Sequence, residues 1–121
     1  MIRELARAGV VALAATAASM SLAAAATPFD GSWSLTFHTR SGTCEPAYRF
    51  EVFIRNGIIR HPEIANFRGR VGRSGDVRAS IMMDGSSASG SGRLTRSSGR
   101  GSWAGRGSET RCSGIWTARR R

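Results

Sequence analysis

The chain has 121 residues, the length of one domain, and carries 18 arginines and no lysine against 8 acidic residues, for a net charge of +10. The absence of lysine excludes a phosphate-loop lysine and a lysine Schiff base, and no G-x-S-x-G, C-x-x-C or H-E-x-x-H pattern is present. The charge favours a partner that is negatively charged.

Residues 1–26 have the organisation of a secretory signal peptide. A basic start is followed by an uncharged stretch rich in Ala, Val and Leu, and Ala24 and Ala26 occupy the small-residue positions before a cleavage site. A retained membrane helix is the alternative, but it needs about 20 strongly apolar residues, and this stretch is mostly alanine. We expect cleavage after Ala26, a periplasmic or secreted location, and a mature domain at 27–121 with no transmembrane span.

Period-two alternation of apolar and polar residues predicts strands along the mature chain. Asn56-Gly57 and Asp84-Gly85 predict tight hairpin turns between them. No helical period follows the signal peptide, so the expected fold class is all-β: a small eight-stranded antiparallel meander that forms a barrel or a sandwich. The predicted strands lie at 33–38, 48–55, 58–61, 67–71, 77–83, 90–94, 101–105 and 112–118.

The second half of the chain is rich in Gly and Ser, and two interpretations compete. Inward glycines alternate with Leu94, Trp103 and Trp116, and such a mixture of small and large side chains suits a narrow, tapering barrel. The alternative is a disordered Gly/Ser tail, which would have no use for buried anchors. We therefore expect Trp33, Trp103 and Trp116 to lie in the barrel core.

Cys44 and Cys112 are the only cysteines. An even pair in an exported chain predicts a disulfide and an oxidising compartment; two free thiols or half of a metal site are the alternatives. In a closed eight-stranded meander, the end of strand one and the start of strand eight meet at one rim, where these two cysteines fall. An open sandwich can also bring them together, so the spacing does not distinguish the two architectures.

Candidate catalytic and ligating residues are few. We interpret His38 and His61 as surface residues, and no spacing supports haem or metal ligation by them or by Met82 and Met83. The acidic residues are scattered, and Asp30, beside a turn, is expected to have a local role. We therefore expect a non-enzymatic domain with no catalytic residue, no metal and no cofactor.

Arginine is the only collective feature of the mature chain. Residues 27–121 hold 16 arginines and 7 acidic residues, a net charge of about +9. Arg68 and Arg70 share a strand face and present two guanidinium groups side by side, which suits phosphate, sulfate or carboxylate. A solvated surface from a genome that prefers Arg over Lys is the alternative. The candidate anion-binding residues are Arg68, Arg70, Arg73, Arg93, Arg96 and Arg100.

Three G-x-W units recur, at 31–33, 101–103 and 114–116. A G-x-W in the first strand resembles lipocalins, avidins and small bacterial metalloprotease inhibitors, which implies a barrel with the tryptophan plugging one end. In the inhibitors an extended N-terminal segment enters the protease cleft, and 27–30 is short for that task. The whole mature chain, with its segments 90–94 and 112–119, more closely resembles uncharacterised small secreted proteins of proteobacteria, a resemblance that implies no activity.

Three functional hypotheses follow. The first is an envelope-associated binding domain whose basic face contacts an anionic polysaccharide, a lipid or an acidic protein. Nucleic acid is disfavoured because of export and because only Phe53 and Phe67 are candidates for outward aromatics on which bases could stack. The second is a small inhibitor of an exported protease. The third is a calycin-like carrier of a small ligand, for which three Trp and several Phe leave little room.

Overall fold

The computed structural model describes residues 26–121, so the predicted signal peptide, apart from Ala26, lies outside the described residues. Each strand pairs antiparallel with its neighbour in the chain, and the last pairs with the first, so the meander closes into a barrel. The strands are β1 Gly31–Ser41, β2 Ala47–Arg55, β3 Ile58–Arg60, β4 Phe67–Val71, β5 Asp76–Met83, β6 Ser86–Leu94, β7 Ser98–Arg106 and β8 Arg111–Arg120.

The eight predicted strands and the all-β class are confirmed, and the architecture is the barrel rather than the sandwich. Within 26–121 there is no helix of the length and hydropathy that would cross a membrane.

Two tight turns form where the sequence predicts them. Asn56 and Gly57 have φ values of 55° and 79°, and Asp84 and Gly85 have φ values of 37° and 84°. A two-residue hairpin turn with positive φ at both central positions favours Asn-Gly and Asp-Gly. The first turn places Ile54 opposite Ile59 on adjacent strands, and both side chains are buried in the core.

The core is built from large rings on some strands and glycines on others. Trp33, Trp103 and Trp116 are buried, with 1%, 7% and 4% of their surfaces exposed. A Cβ added at Gly92 or Gly101 would lie within 2.6 Å of the Trp116 ring, a separation that real side chains do not show. The glycines of β6 and β7 therefore make the space in which the ring on β8 packs.

Every indole N–H in the core has a backbone acceptor, as buried donors require. Because two of the acceptors lie on strands other than the tryptophan's own, these bonds fix the ring orientation as well as satisfying the donor. The acceptors of Trp33, Trp103 and Trp116 are the carbonyls of Phe29, His38 and Ser91, at 2.8, 3.2 and 3.1 Å.

One end of the barrel, which we call the sealed end, is closed by Trp33 and Arg120. The Arg120 guanidinium carbon lies 4.8 Å from the centroid of the Trp33 ring. Its Nε donates to the Arg96 carbonyl at 2.6 Å, its Nη1 to the Asp30 carbonyl at 2.6 Å, and its Nη2 to the Pro28 carbonyl. One side chain therefore ties β8, the β6–β7 turn and the segment before β1 together over the core.

Asp30 fastens the same segment to the β2–β3 turn. Its carboxylate accepts hydrogen bonds from the Thr27 hydroxyl at 2.6 Å and from the backbone amides of Asn56 and Gly57 at 2.7 and 3.3 Å. Partial desolvation raises the pKa of Asp30, but these hydrogen bonds together outweigh it and hold the pKa below its usual value. The role of Asp30 is therefore local, as its position beside a turn predicts.

The opposite end of the barrel, which we call the open end, holds the disulfide. Cys44 and Cys112 are bonded, with their Cα atoms 6.1 Å apart. Cys44 follows β1 and Cys112 lies near the start of β8, so both sit at one rim, as a closed meander predicts. The disulfide is confirmed, and it is compatible with an oxidising, exported location.

Candidate functional site

A shallow groove of about 860 Å³ crosses the outer face of β3 to β7. Four arginines and four serines line it, and all eight residues are exposed. The arginines, which we call the arginine quartet, are Arg60, Arg68, Arg70 and Arg78. The serines, which we call the serine floor, are Ser80, Ser89, Ser91 and Ser102.

Strand register brings these residues together. Side chains at alternate positions of a strand share one face, and residues directly opposite each other have Cβ atoms about 4.5–5.5 Å apart. One outward row crosses four strands and another runs beside it toward the open end. The first row is Arg70, Arg78, Ser91 and Ser102, and the second is Arg68, Ser80, Ser89 and Ala104.

The groove carries four arginines, and Asp76, two residues before Arg78 on the outward face of β5, offsets only part of that charge. Arg70 lies directly opposite Arg78, and like charges in that position repel. No carboxylate from residues 26–121 lines the groove. Among residues 26–121, an ion pair joins Arg121 to Glu51 at 2.6 Å, and it lies outside the groove. The hydrogen bond from Arg121 holds the pKa of Glu51 below its usual value. An anion that touched Arg70 and Arg78 together would relieve their repulsion.

The six arginines predicted from the sequence do not form one site. Arg68 and Arg70 lie in the groove. Arg93 and Arg100 face each other across β6 and β7, one row nearer the sealed end, and Arg93 donates to the Ser74 carbonyl at 3.3 Å. The other two predicted residues, Arg73 and Arg96, lie in the turns between strands at the sealed end.

Arg60 and Arg78 complete the quartet and were missed by sequence reasoning. A signal for Arg78 exists, because it alternates with Val77 and Ala79 and must therefore face outward. Its position opposite Arg70 then follows from the short β4–β5 turn. No such signal exists for Arg60, because its place beside β4 depends on the path of the loop at 61–66.

The expectation that Phe67 faces outward is wrong. Phe67 is buried in the core, with 6% of its surface exposed, because Arg68 and Arg70 take the outward positions of β4 and the alternation turns Phe67 inward. Phe53 lies on the outer face of β2 and is half-buried. The aromatic residues that line the groove, Phe67 and Trp103, are both buried. Phe53 lies at its edge, directly opposite Arg60, and is a single half-buried ring rather than a row of rings on which successive bases stack.

The second candidate site is the mouth of the barrel at the open end. It is a mainly apolar pocket of about 350 Å³. A deeper cavity of about 50 Å³ shares Phe37, Phe67, Ile81 and Ala88 with it. An apolar cavity that holds a molecule as small as benzene is about 150 Å³, so the centre has little room for a ligand, as the aromatic content predicts. The mouth is not filled, and it meets the lower size limit of ligand pockets, about 300 Å³.

The loop between β3 and β4 is held against this mouth by His61. Its Nδ1 accepts hydrogen bonds from the backbone amides of Glu63 and Ile64 at 3.0 and 3.1 Å. Its ring lies 5.9 Å from that of Phe50 and 6.2 Å from that of Phe67. His61 therefore acts as a loop anchor at the rim of the barrel.

Among residues 26–121, no three His, Cys, Asp or Glu side chains gather in a way that could hold a metal ion.

The segment before β1, which the inhibitor hypothesis would place in a protease cleft, is folded. Residues 27–30 fold onto the sealed end, where the Asp30 amide donates to the Thr27 carbonyl at 3.2 Å and Phe29 is buried. That folded segment is not an extended arm, which counts against its insertion into a protease cleft.

Comparison with known proteins finds no relative: no protein-family model, no curated protein and no solved structure matches this chain. The G-x-W resemblance and the resemblance to small secreted proteobacterial proteins stay predictions.

Proposed function

We propose that this chain is an exported, non-enzymatic binding domain associated with the cell envelope, and that its arginine quartet contacts an anionic partner. The observation that carries the proposal is the pairing of Arg70 with Arg78 in a groove without a carboxylate. Export is supported by the signal-like residues 1–26 and by the disulfide. The periplasm or the cell exterior is the proposed location.

The chemistry of the quartet suits this role. Guanidinium groups bind carboxylate, sulfate and phosphate through paired hydrogen bonds. Each exposed charge pair contributes about 0.2–1 kcal/mol, so a useful affinity needs several arginines acting together on one partner. Because exposed charges are screened beyond about 8 Å at physiological ionic strength, the binding should weaken as salt is added.

The test compares two triple variants with the same net charge. Arg68→Gln, Arg70→Gln and Arg78→Gln remove most of the quartet, whereas the control removes three exposed arginines elsewhere, Arg40, Arg73 and Arg96. Titration with dextran sulfate at low salt should show about tenfold or more weaker binding for the quartet variant. An equal loss in both variants would show that net charge alone drives the binding and would overturn the proposal.

A second candidate function is a carrier of a small apolar ligand, which the unfilled mouth favours. Ala88→Leu should fill the mouth, because Ala88 lines both the mouth and the deeper cavity. Ala47→Leu, on the exposed outer face of β2, is the matched control. Fluorescence of the neutral probe N-phenylnaphthylamine should show weaker binding only to the Ala88 variant, whose folding is checked by thermal unfolding. Unchanged binding to a folded Ala88 variant would exclude the mouth.

A further inference from the structure

The serine floor has free hydrogen-bonding capacity beside the quartet. Its four residues lie on adjacent strands with Ser91 directly opposite Ser102 and Ser80 directly opposite Ser89. Each hydroxyl offers one donor and two acceptors, and within 26–121 none of the four makes a side-chain hydrogen bond to another residue. A polar ligand on this floor would meet neutral hydrogen-bond donors and acceptors next to the charged guanidinium groups of the quartet.

The floor is also flat, because its outward side chains are small. Serine and alanine occupy the outward positions of β6 and β7 in both rows that face the quartet. No bulky side chain stands between the quartet and the far edge of the floor. From β4 to β7 the groove spans three inter-strand spacings, about 14 Å. A ligand that contacts both the arginine quartet and the serine floor must therefore be longer than a single small anion.

Three classes of anionic partner fit this groove poorly. A single-stranded nucleic acid needs several aromatic rings on which successive bases stack. The rings that line the groove are buried, and Phe53, half-buried at its edge opposite Arg60, is a single ring. A membrane surface needs apolar side chains that enter the lipid, and the exposed Met82 and Met83 lie on a hairpin outside the groove. A protein partner needs aromatic or apolar anchors at the centre of the interface, whereas the apolar residues of the first row, Ile58 and Ile115, lie at its two ends, opposite Arg70 and Ser102.

We propose that the groove binds an acidic polysaccharide lying across β4 to β7, with its carboxylates on the arginine quartet and its sugar hydroxyls on the serine floor. This inference rests on the proposed function and names its ligand class. Sugar acids carry both kinds of group that the groove can bind. Their planar carboxylates suit the guanidinium groups of the quartet, and their neutral hydroxyls suit the serines of the floor.

The test uses three polymers matched in charge: polygalacturonate, which has sugar hydroxyls, polyphosphate, which has none, and oligothymidylate, which has bases. The floor variant carries Ser89→Ala, Ser91→Ala and Ser102→Ala. Its control carries alanine at three other exposed serines, Ser32, Ser97 and Ser108. All variants are surface changes, and thermal unfolding checks that each is folded.

The floor variant should bind polygalacturonate at least about tenfold more weakly, because it loses three hydroxyls whose net hydrogen bonds contribute about 0.5–1.5 kcal/mol each, and should bind polyphosphate as the parent does. The quartet variant should lose affinity for both polymers. If the floor variant weakens neither polymer or both equally while the quartet variant weakens both, the polysaccharide inference fails and the proposed anion binding stands. Tighter binding of oligothymidylate than of polygalacturonate would also overturn the inference. If the quartet variant matches its own control on every polymer, the proposed function itself fails.

Discussion

The two ends of the barrel are stabilised in different ways. At the sealed end, Trp33 is the most deeply buried side chain of the described residues, and Arg120 holds three chain segments over it. At the open end, the mouth is unfilled and the Cys44–Cys112 bond joins the segment after β1 to β8. The covalent link therefore lies at the end where packing is incomplete.

This difference shows how a small domain divides its stabilising interactions. A chain of this length buries only about 60–65% of its unfolded surface, so a fully packed core at both ends is hard to achieve. Noncovalent closure at one end and a disulfide at the other stabilise the barrel without filling the mouth. Substitutions at the two ends can show whether the sealed end depends on Trp33 and Arg120 and the open end on the disulfide.

The largest effect is expected from Trp33→Ala at the sealed end. Truncation of a buried aromatic ring leaves a cavity and costs about 3–5 kcal/mol, and here Arg120 also loses the ring beneath its guanidinium. Urea unfolding followed by circular dichroism measures the loss. Phe53→Ala, a half-buried ring on the outer face, is the control and should cost less; equal costs would contradict the role of Trp33 as the plug.

A somewhat smaller effect is expected when the open end loses its disulfide. The bond closes a sequence separation of 68 residues, and native disulfides typically stabilise by about 2–4 kcal/mol. The double variant Cys44→Ser and Cys112→Ser should lose that amount, and reduction of the parent protein should reproduce it. If the reductant destabilises the double variant as well, thiol chemistry is not the cause and the assignment is contradicted.

A third change separates charge from geometry at the sealed end. Arg120→Lys keeps the positive charge but cannot donate in three fixed directions as a guanidinium does. We expect a loss of about 1.5–3 kcal/mol, the range for hydrogen bonds made by a charged group, measured by thermal unfolding. Arg119→Lys, the exposed neighbour on β8, should be nearly neutral, and a comparable loss there would argue against the fork geometry.

The smallest effect, and the one that depends on pH, is expected for Asp30→Asn. The folded-state pKa of Asp30 is lowered, so its charged form stabilises the fold at pH values above about 4, the unfolded pKa. That stability is lost as the pH falls through the folded pKa. The difference in melting temperature between parent and variant should therefore be present at neutral pH and shrink in acid.

Asp84→Asn, in the turn at the open end, is the matched control for that series. A gap between the parent and the Asp30 variant that stays constant from neutral to acidic pH would show that charge on Asp30 does not matter.

Much of the fold is predictable from the sequence because strand alternation is strong. The inward row of β8, from Cys112 through Trp116 and Ala118, continues to Arg120. The same alternation therefore predicts that Arg120, which closes the sealed end, points inward. The short turns, including Asn56-Gly57, then fix the register between neighbours.

The candidate sites are less predictable because they depend on closure. Arg60 joins the quartet only through the path of the β3–β4 loop, and β3 itself has only three residues. The mouth lies between side chains of strands that are not paired with each other, among them Phe37 of β1 and Ile81 of β5. Neither property is contained in the period-two pattern, which describes single strands and their nearest partners.

The β1–β8 seam has a kinetic consequence. Every other strand pair forms between neighbours in the chain, but this seam joins Trp33 to Arg120 and must wait for a long loop to close. Cys44 and Cys112 flank the same seam, so a chain that oxidises before it folds begins with the two edges of the sheet already tethered. We expect refolding with the bond intact to outpace refolding of the reduced chain.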